Sequence, residues 1–213
     1  MNKVLVLDLD DTLYSELNYL KSAYHSIASE LSDNNNQLYE LMLSKYINSE
    51  DVFSFLVTEY NVELQYLLDL YRYHIPNIQL YPNVDKVLNY FSENGEIAIV
   101  TDGRSKTQRN KLKALGLTHI LTTIVISEEL KTEKPCRANF EKVVSETIGN
   151  KYIYIGDNLK KDFITPKEMG WTTICLKDQG NNIHKQNFDL PYEYQPDYCF
   201  ESWLEIQYFL NIP

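Results

Sequence analysis

The stretch "VLVLDLDDTLY", residues 4–14, decides how the rest of the chain is read. Its apolar run, Val4 to Leu7, has the length and composition of a buried strand. Such a strand normally surfaces into Gly, Pro or Asn. Here it surfaces into Asp8, Asp10 and Asp11, with Thr12 behind them. Clustered carboxylates repel one another unless something positive sits between them.

Working outward, the residues up to about Pro76 carry no further strand signal. Leu17, Leu20, Tyr24, Ile27 and Leu31 recur at helical spacing, the polar break "SDNNNQ" follows, and more helical segments come after it. From Tyr81 strands and helices alternate. Helices are predicted in "NVDKVLNYFSENG", "SKTQRNKLKALGL", "RANFEKVVSETIG" and "LKKDFITPKEMG", and strands in "EIAIVTDG", "TTIVIS", "KYIYIGD" and "TTICLK". A long irregular loop, an edge strand in "PDYCF" and a helix in "ESWLEIQYFL" complete the chain. The pattern predicts an α/β protein with a parallel sheet, its core formed by residues 1–13 and 81–213 and an all-helical insertion over 14–80.

Composition narrows the function. A formal charge of −10 over 213 residues, with no Lys/Arg run, argues against a nucleic-acid polymer or an anionic membrane surface as partner. The apolar run before Asp8 is too short for a signal peptide or a membrane span, so a cytoplasmic location is expected. Cys136, Cys175 and Cys199 are widely spaced and odd in number, which fits reduced thiols rather than a disulfide framework or a zinc site. His25, His74, His119 and His184 show no ligand spacing. The oligomeric state is not legible.

The polar residues fall where a parallel sheet binds ligands. Asp8, Thr101 with Asp102, and Asp157 all end predicted strands, and in an open parallel sheet the crevice outside the carboxyl ends holds the ligand. Lys134 precedes Pro135, which is expected in the first turn of the next helix. Taken singly, each of these motifs reads as an ordinary turn or cap. Their arrival at one place from separate strands is what points to a site.

The set resembles the haloacid dehalogenase-like (HAD) superfamily. Its first motif is matched by "DLDDT" with Asp8, Asp10 and Thr12, the second by Thr101 in "IVTDG", the third by Lys134 in "EKP", and the fourth by "GDNLKKD" with Asp157 and Asp162. The resemblance covers nearly the whole chain, and implies a Rossmann-like core with a helical cap between the first and second motifs.

A magnesium ion prefers hard oxygen ligands, for which Asp8 and Asp157 are the natural side chains; by resemblance the Asp10 backbone carbonyl joins them. Asp8 is then the nucleophile that takes the phosphoryl group, and Asp10 the acid and base, which must be protonated when Asp8 is not. Thr101, Lys134 and the backbone N–H groups of Asp102 and Gly103 are expected to hold the phosphoryl oxygens. By resemblance, Asp162 orients Lys134 or a metal-bound water, and Thr12 stabilises the loop around Asp10.

The retained Asp10 and Asp157 favour a magnesium-dependent phosphomonoester hydrolase acting on a small phosphorylated metabolite over a metal-free dehalogenase. The alternatives are a phosphosugar mutase of the same superfamily and a catalytically idle protein that binds a partner through its cap. Tyr14, Glu16, Tyr19 and Lys21, with Arg72, are candidate cap contacts to the substrate. Arg104 and Lys106 lie in the turn after Gly103.

Overall fold

A computed structural model describes residues 3–213. The strands are β1 (Lys3–Leu7), β2 (Gly95–Thr101), β3 (Thr123–Ile126), β4 (Lys151–Gly156), β5 (Thr172–Leu176) and β6 (Tyr198–Phe200). They form one sheet of order β3-β2-β1-β4-β5-β6, and every pairing is parallel. The expected α/β parallel sheet is therefore present, with the strand of the opening stretch at its centre.

Strand alternation explains the layers. Leu5 and Leu7 share one face with Ile97, Ile99, Ile155 and Ile174, packed on α5 (Val84–Asn94) and α10 (Trp203–Phe209). Val4 and Val6 share the opposite face with Ala98, Val100 and Tyr154, packed on Phe140 and Val143 of α8 (Arg137–Glu146). Both faces are covered, which is why the central strands read as unbroken apolar runs. Their register sets Leu7 beside Ile99 and Ile155, so the carboxyl ends of β1, β2 and β4 open at one level.

Between β1 and α5 lie α1 (Glu16–Leu31), α2 (Asn35–Ile47), α3 (Val52–Tyr60) and α4 (Leu64–Tyr73). They bury their own cluster, including Leu20, Tyr24, Ile27, Met42, Leu56 and Leu67. Tyr14, Tyr19 and Ile78, at the two ends of the insertion, pack instead into the core under the sheet. The cap rests on α6 (Ser105–Ala114), where the Thr107 hydroxyl donates to the Arg72 carbonyl at 3.1 Å. No helix among the described residues is long and apolar enough to cross a membrane.

Two local expectations are corrected. The helix expected over "LKKDFITPKEMG" is confined to α9 (Ile164–Glu168), because Asp162 accepts the N–H groups of Asp157 and Asn158 and holds the preceding residues in a turn. Pro135 does not open a helix. α8 begins at Arg137 with Cys136 as its N-cap, and Lys134 stays in the loop, its N–H donating to Asp102 Oδ1 at 3.0 Å.

Candidate active site

The site is built around Lys134. Its ammonium lies 2.5 Å from Asp8 Oδ1, 2.7 Å from Asp162 Oδ1 and 3.3 Å from the Tyr154 hydroxyl, and the residue is only 5% exposed. Burial alone would lower the lysine pKa, but Asp162 and Asp8 together hold it well above the usual range. Asp162 is fully buried, and its Oδ2 accepts the N–H groups of Asp157 and Asn158 at 3.1 and 2.8 Å. Gly156 makes this possible. A Cβ there would lie 2.5 Å from Asp162 Oδ2.

Asp8 and Asp157 face one another with too few protons between them. Asp8 Oδ2 and Asp157 Oδ1 share the Thr12 hydroxyl, at 3.4 and 3.5 Å, and that group has a single proton to give. Asp157 Oδ2 accepts from Asn182 Nδ2 at 2.9 Å. Burial raises the Asp8 pKa to about 7 despite Lys134, and burial together with the Asp8 charge raises Asp157 well above the carboxylate range. Oxygens of Asp8, Asp157 and Asp162 lie within 4.8 Å of one another. Both Asp162 oxygens are already engaged by donors. The pair left facing each other, Asp8 and Asp157, offers buried hard anionic oxygens of the kind magnesium prefers.

Asp10 is held from another side. Lys111 Nζ lies 2.7 Å from its Oδ1, the Tyr14 hydroxyl donates to the same oxygen, and Gln108 Nε2 lies 2.8 Å from Oδ2. Gln108 Nε2 also reaches Thr101 Oγ1 at 2.6 Å. Burial pushes Asp10 upward, but the Lys111 charge and these hydrogen bonds outweigh it and hold the carboxyl below its ordinary value. Lys111, the source of that charge, is a partner of Asp10 that the sequence motifs do not name.

Asp8, Asp10, Thr101, Asp102, Lys134 and Asp157 all line one cavity of about 280 Å³, with Glu16, Lys161 and His184 at its walls. Thr12 and Asp162 sit buried behind it, Thr12 against Asp8 and Asp157 rather than against the Asp10 carboxylate. Gly103, at φ 140°, gives its N–H to Ser127 Oγ at 2.9 Å, at the start of the short helix α7 (Ser127–Leu130). The Asp102 carboxylate pairs with Lys161 at 2.8 Å. Arg104 pairs with Glu128, and Lys106 lies over the Tyr73 ring, both away from the cavity. Lys21 lines a larger cavity of about 460 Å³ bounded by Asp11, Asn182 and Trp203, into which Asp8, Asp10, Thr101 and Lys134 do not open.

Asp11 has no part in the four motifs. At φ 53° it accepts the Glu16 N–H at 2.8 Å and the Ile183 N–H at 3.1 Å, clipping the start of the cap and the loop after β5 to the end of β1. That loop delivers Asn182, because Asp178 Oδ1 accepts the N–H groups of Gly180, Asn181 and Asn182. Trp203 Nε1 donates to the Thr12 carbonyl at 2.8 Å and fixes the same turn from below.

Comparison with known proteins agrees with this fold. The family model for haloacid dehalogenase-like hydrolases matches residues 5–176. The chain is 27% identical over 227 residues to a glyceraldehyde 3-phosphate phosphatase of Methanocaldococcus jannaschii, covering 97% of this chain and 96% of that one. It is also 27% identical to a protein of the same name from Methanopyrus kandleri, over 83% of this chain and 84% of the relative. Among solved structures, a magnesium-bound HAD-hydrolase of Bacillus subtilis superposes with a TM-score of 0.68 at 21% identity, covering 99% of each chain. At that identity the likeness concerns the fold. The family match spans all four motif positions, and the chain belongs to the haloacid dehalogenase-like hydrolase family.

Proposed function

We propose that this hydrolase is a magnesium-dependent phosphomonoesterase that cleaves a small phosphorylated metabolite through an aspartyl-phosphate on Asp8. The observation that carries the reading is the division of the Asp8 carboxylate, with Oδ1 on Lys134 at 2.5 Å and Oδ2 turned toward Asp157. A magnesium ion held by Asp8, Asp157 and the Asp10 carbonyl would supply the positive charge that keeps Asp8 ionised beside an anionic ester.

In the first half-reaction Asp8 attacks phosphorus in line as the ester P–O bond breaks, and Asp10, which takes up a proton when the anionic ester binds beside it, gives that proton to the departing alcohol. Lys134 and the Thr101 hydroxyl hold phosphoryl oxygens, with the Asp102 N–H as the donor of that turn, since the Gly103 N–H is taken by Ser127. In the second half Asp10 takes a proton from the water that attacks the phosphoaspartate, and Asp8 is released. The cap limits bulk water at the first step, which favours transfer to Asp8 over direct hydrolysis.

The relatives named for glyceraldehyde 3-phosphate support a small phosphate ester as substrate, as does a cavity of about 280 Å³. Purified protein should be assayed against a panel of triose, pentose and hexose phosphates, nucleoside monophosphates and phosphoacids, with magnesium and with chelator. Magnesium-dependent release of free phosphate is the expected result. Isomerised sugar phosphate from a hexose 1-phosphate would make it a mutase, and inactivity across the panel would overturn the proposal.

A further inference from the structure

Helix α6 does more than follow the second motif. Lys111 is 4% exposed, a costly position for a flexible ammonium unless its charge is used. Its one ion-pair partner among the described residues is Asp10, at 2.7 Å, and its ammonium also lies 4.4 Å from the centroid of the Tyr19 ring in the cap helix α1. Tyr19 is itself fixed, its hydroxyl donating to the Tyr71 carbonyl of α4 at 2.8 Å. Thr107, Gln108 and Lys111 are all buried on one stripe of α6. Gln108 joins Asp10 Oδ2 to Thr101 Oγ1, and Thr107 bonds the Arg72 carbonyl in the cap. The same turn of helix thus touches the Asp10 carboxylate, the phosphate-side threonine and the seated cap.

We propose that Lys111 is a positioning residue for Asp10: it anchors Oδ1, with Tyr14, so that Oδ2 is presented to the leaving-group oxygen, and it ties that orientation to the cap through Tyr19. This rests on Asp10 being the acid of the proposed function. Lys111 itself need not touch substrate. Its work is to restrict the carboxyl to one rotamer, with Oδ1 committed to Lys111 and Tyr14 and Oδ2, which also accepts from Gln108 Nε2 at 2.8 Å, as the oxygen that exchanges the proton.

Leaving groups separate this role from a merely structural one. An alkoxide needs a proton in order to depart, whereas p-nitrophenolate does not, so misplacing the acid harms only the first kind of ester. The quantity to measure is kcat/KM, which covers binding through ester cleavage. It should be compared for p-nitrophenyl phosphate and for the alkyl phosphomonoester turned over best in the panel above. Lys111→Met is expected to lose roughly 10–100-fold on the alkyl ester and less than about threefold on p-nitrophenyl phosphate, while Lys111→Arg keeps a near-wild-type ratio.

A partly unfolded variant lowers both values equally, so the ratio stays informative even if Lys111→Met is destabilised. Equal losses on both esters, or no loss on either, would overturn the proposal. Asp10→Asn run in parallel identifies what failed. If it discriminates between the esters and Lys111→Met does not, the positioning role is wrong; if Asp10→Asn does not discriminate, the acid assignment falls and the positioning role with it.

Discussion

The Asp162 carboxylate occupies the space that a side chain on Gly156 would fill, its Oδ2 lying 2.5 Å from where a Cβ would stand. From there it holds Lys134 at 2.7 Å and the N–H groups that shape the turn carrying Asp157. Lys134 and Asp157 are therefore positioned by one buried carboxylate.

Gly156→Ala should displace that carboxylate. The added methyl group meets Asp162 in a close-packed interior, so a destabilisation of about 1–3 kcal/mol is expected. Loosening of Lys134 and Asp157 should lower turnover by at least about tenfold. Thermal unfolding and kcat on the same preparation check both. An unchanged melting temperature would mean that the loop relaxes without cost.

The opposed carboxylates of Asp8 and Asp157 predict a second result that needs no assay of activity. Without metal, the buried pair must take up a proton to relieve its repulsion, a cost that Asp157→Asn removes while keeping the acceptor that Asn182 meets. In chelator the variant should therefore melt at or above the wild type. Magnesium should then raise the wild-type melting temperature by several degrees and the variant's by little, following binding linkage. Equal magnesium stabilisation of both proteins would remove Asp157 from the ligand set.

His74 gives the cap base a pH dependence. Its Nδ1 donates to the Tyr71 carbonyl at 2.8 Å, and its Nε2 lies 3.2 Å from Ser22 Oγ, which in turn accepts the Asn77 N–H at 2.8 Å. That chain of partners suits the neutral ring, and burial lowers the His74 pKa below its ordinary 6.5. In the window just below 6.5 the unfolded chain binds the proton more readily than the folded one, so stability falls as pH drops through it. Between about pH 7.5 and about pH 5.5 the wild-type melting temperature should fall by more than that of His74→Gln. Identical pH slopes would place the titration elsewhere.

The motif residues were legible because each is local. Asp8, Thr101 and Asp157 stand where an apolar run stops, and a polar residue at the end of a buried parallel strand has one place to point. Lys111 was hidden by its setting. It lies in "SKTQRNKLKALGL", a helix so polar that a lysine reads as solvated, and its partner Asp10 is 101 residues away. Asn182 came from a loop without periodicity, and its delivery depends on the turn that Asp178 organises. Asp11 carries no role legible in the sequence, because nothing there shows the positive φ that turns its carboxylate toward the cap and the loop after β5.

The central claim is that Asp8 takes the phosphoryl group, and turnover by Asp8→Asn with magnesium present tests it most directly. The amide keeps the size and one acceptor oxygen of the carboxylate but is not a nucleophile of comparable strength. The account predicts a loss of at least about 10³-fold in kcat on the best phosphomonoester, with the fold intact by thermal unfolding. Turnover close to that of the wild type would contradict it.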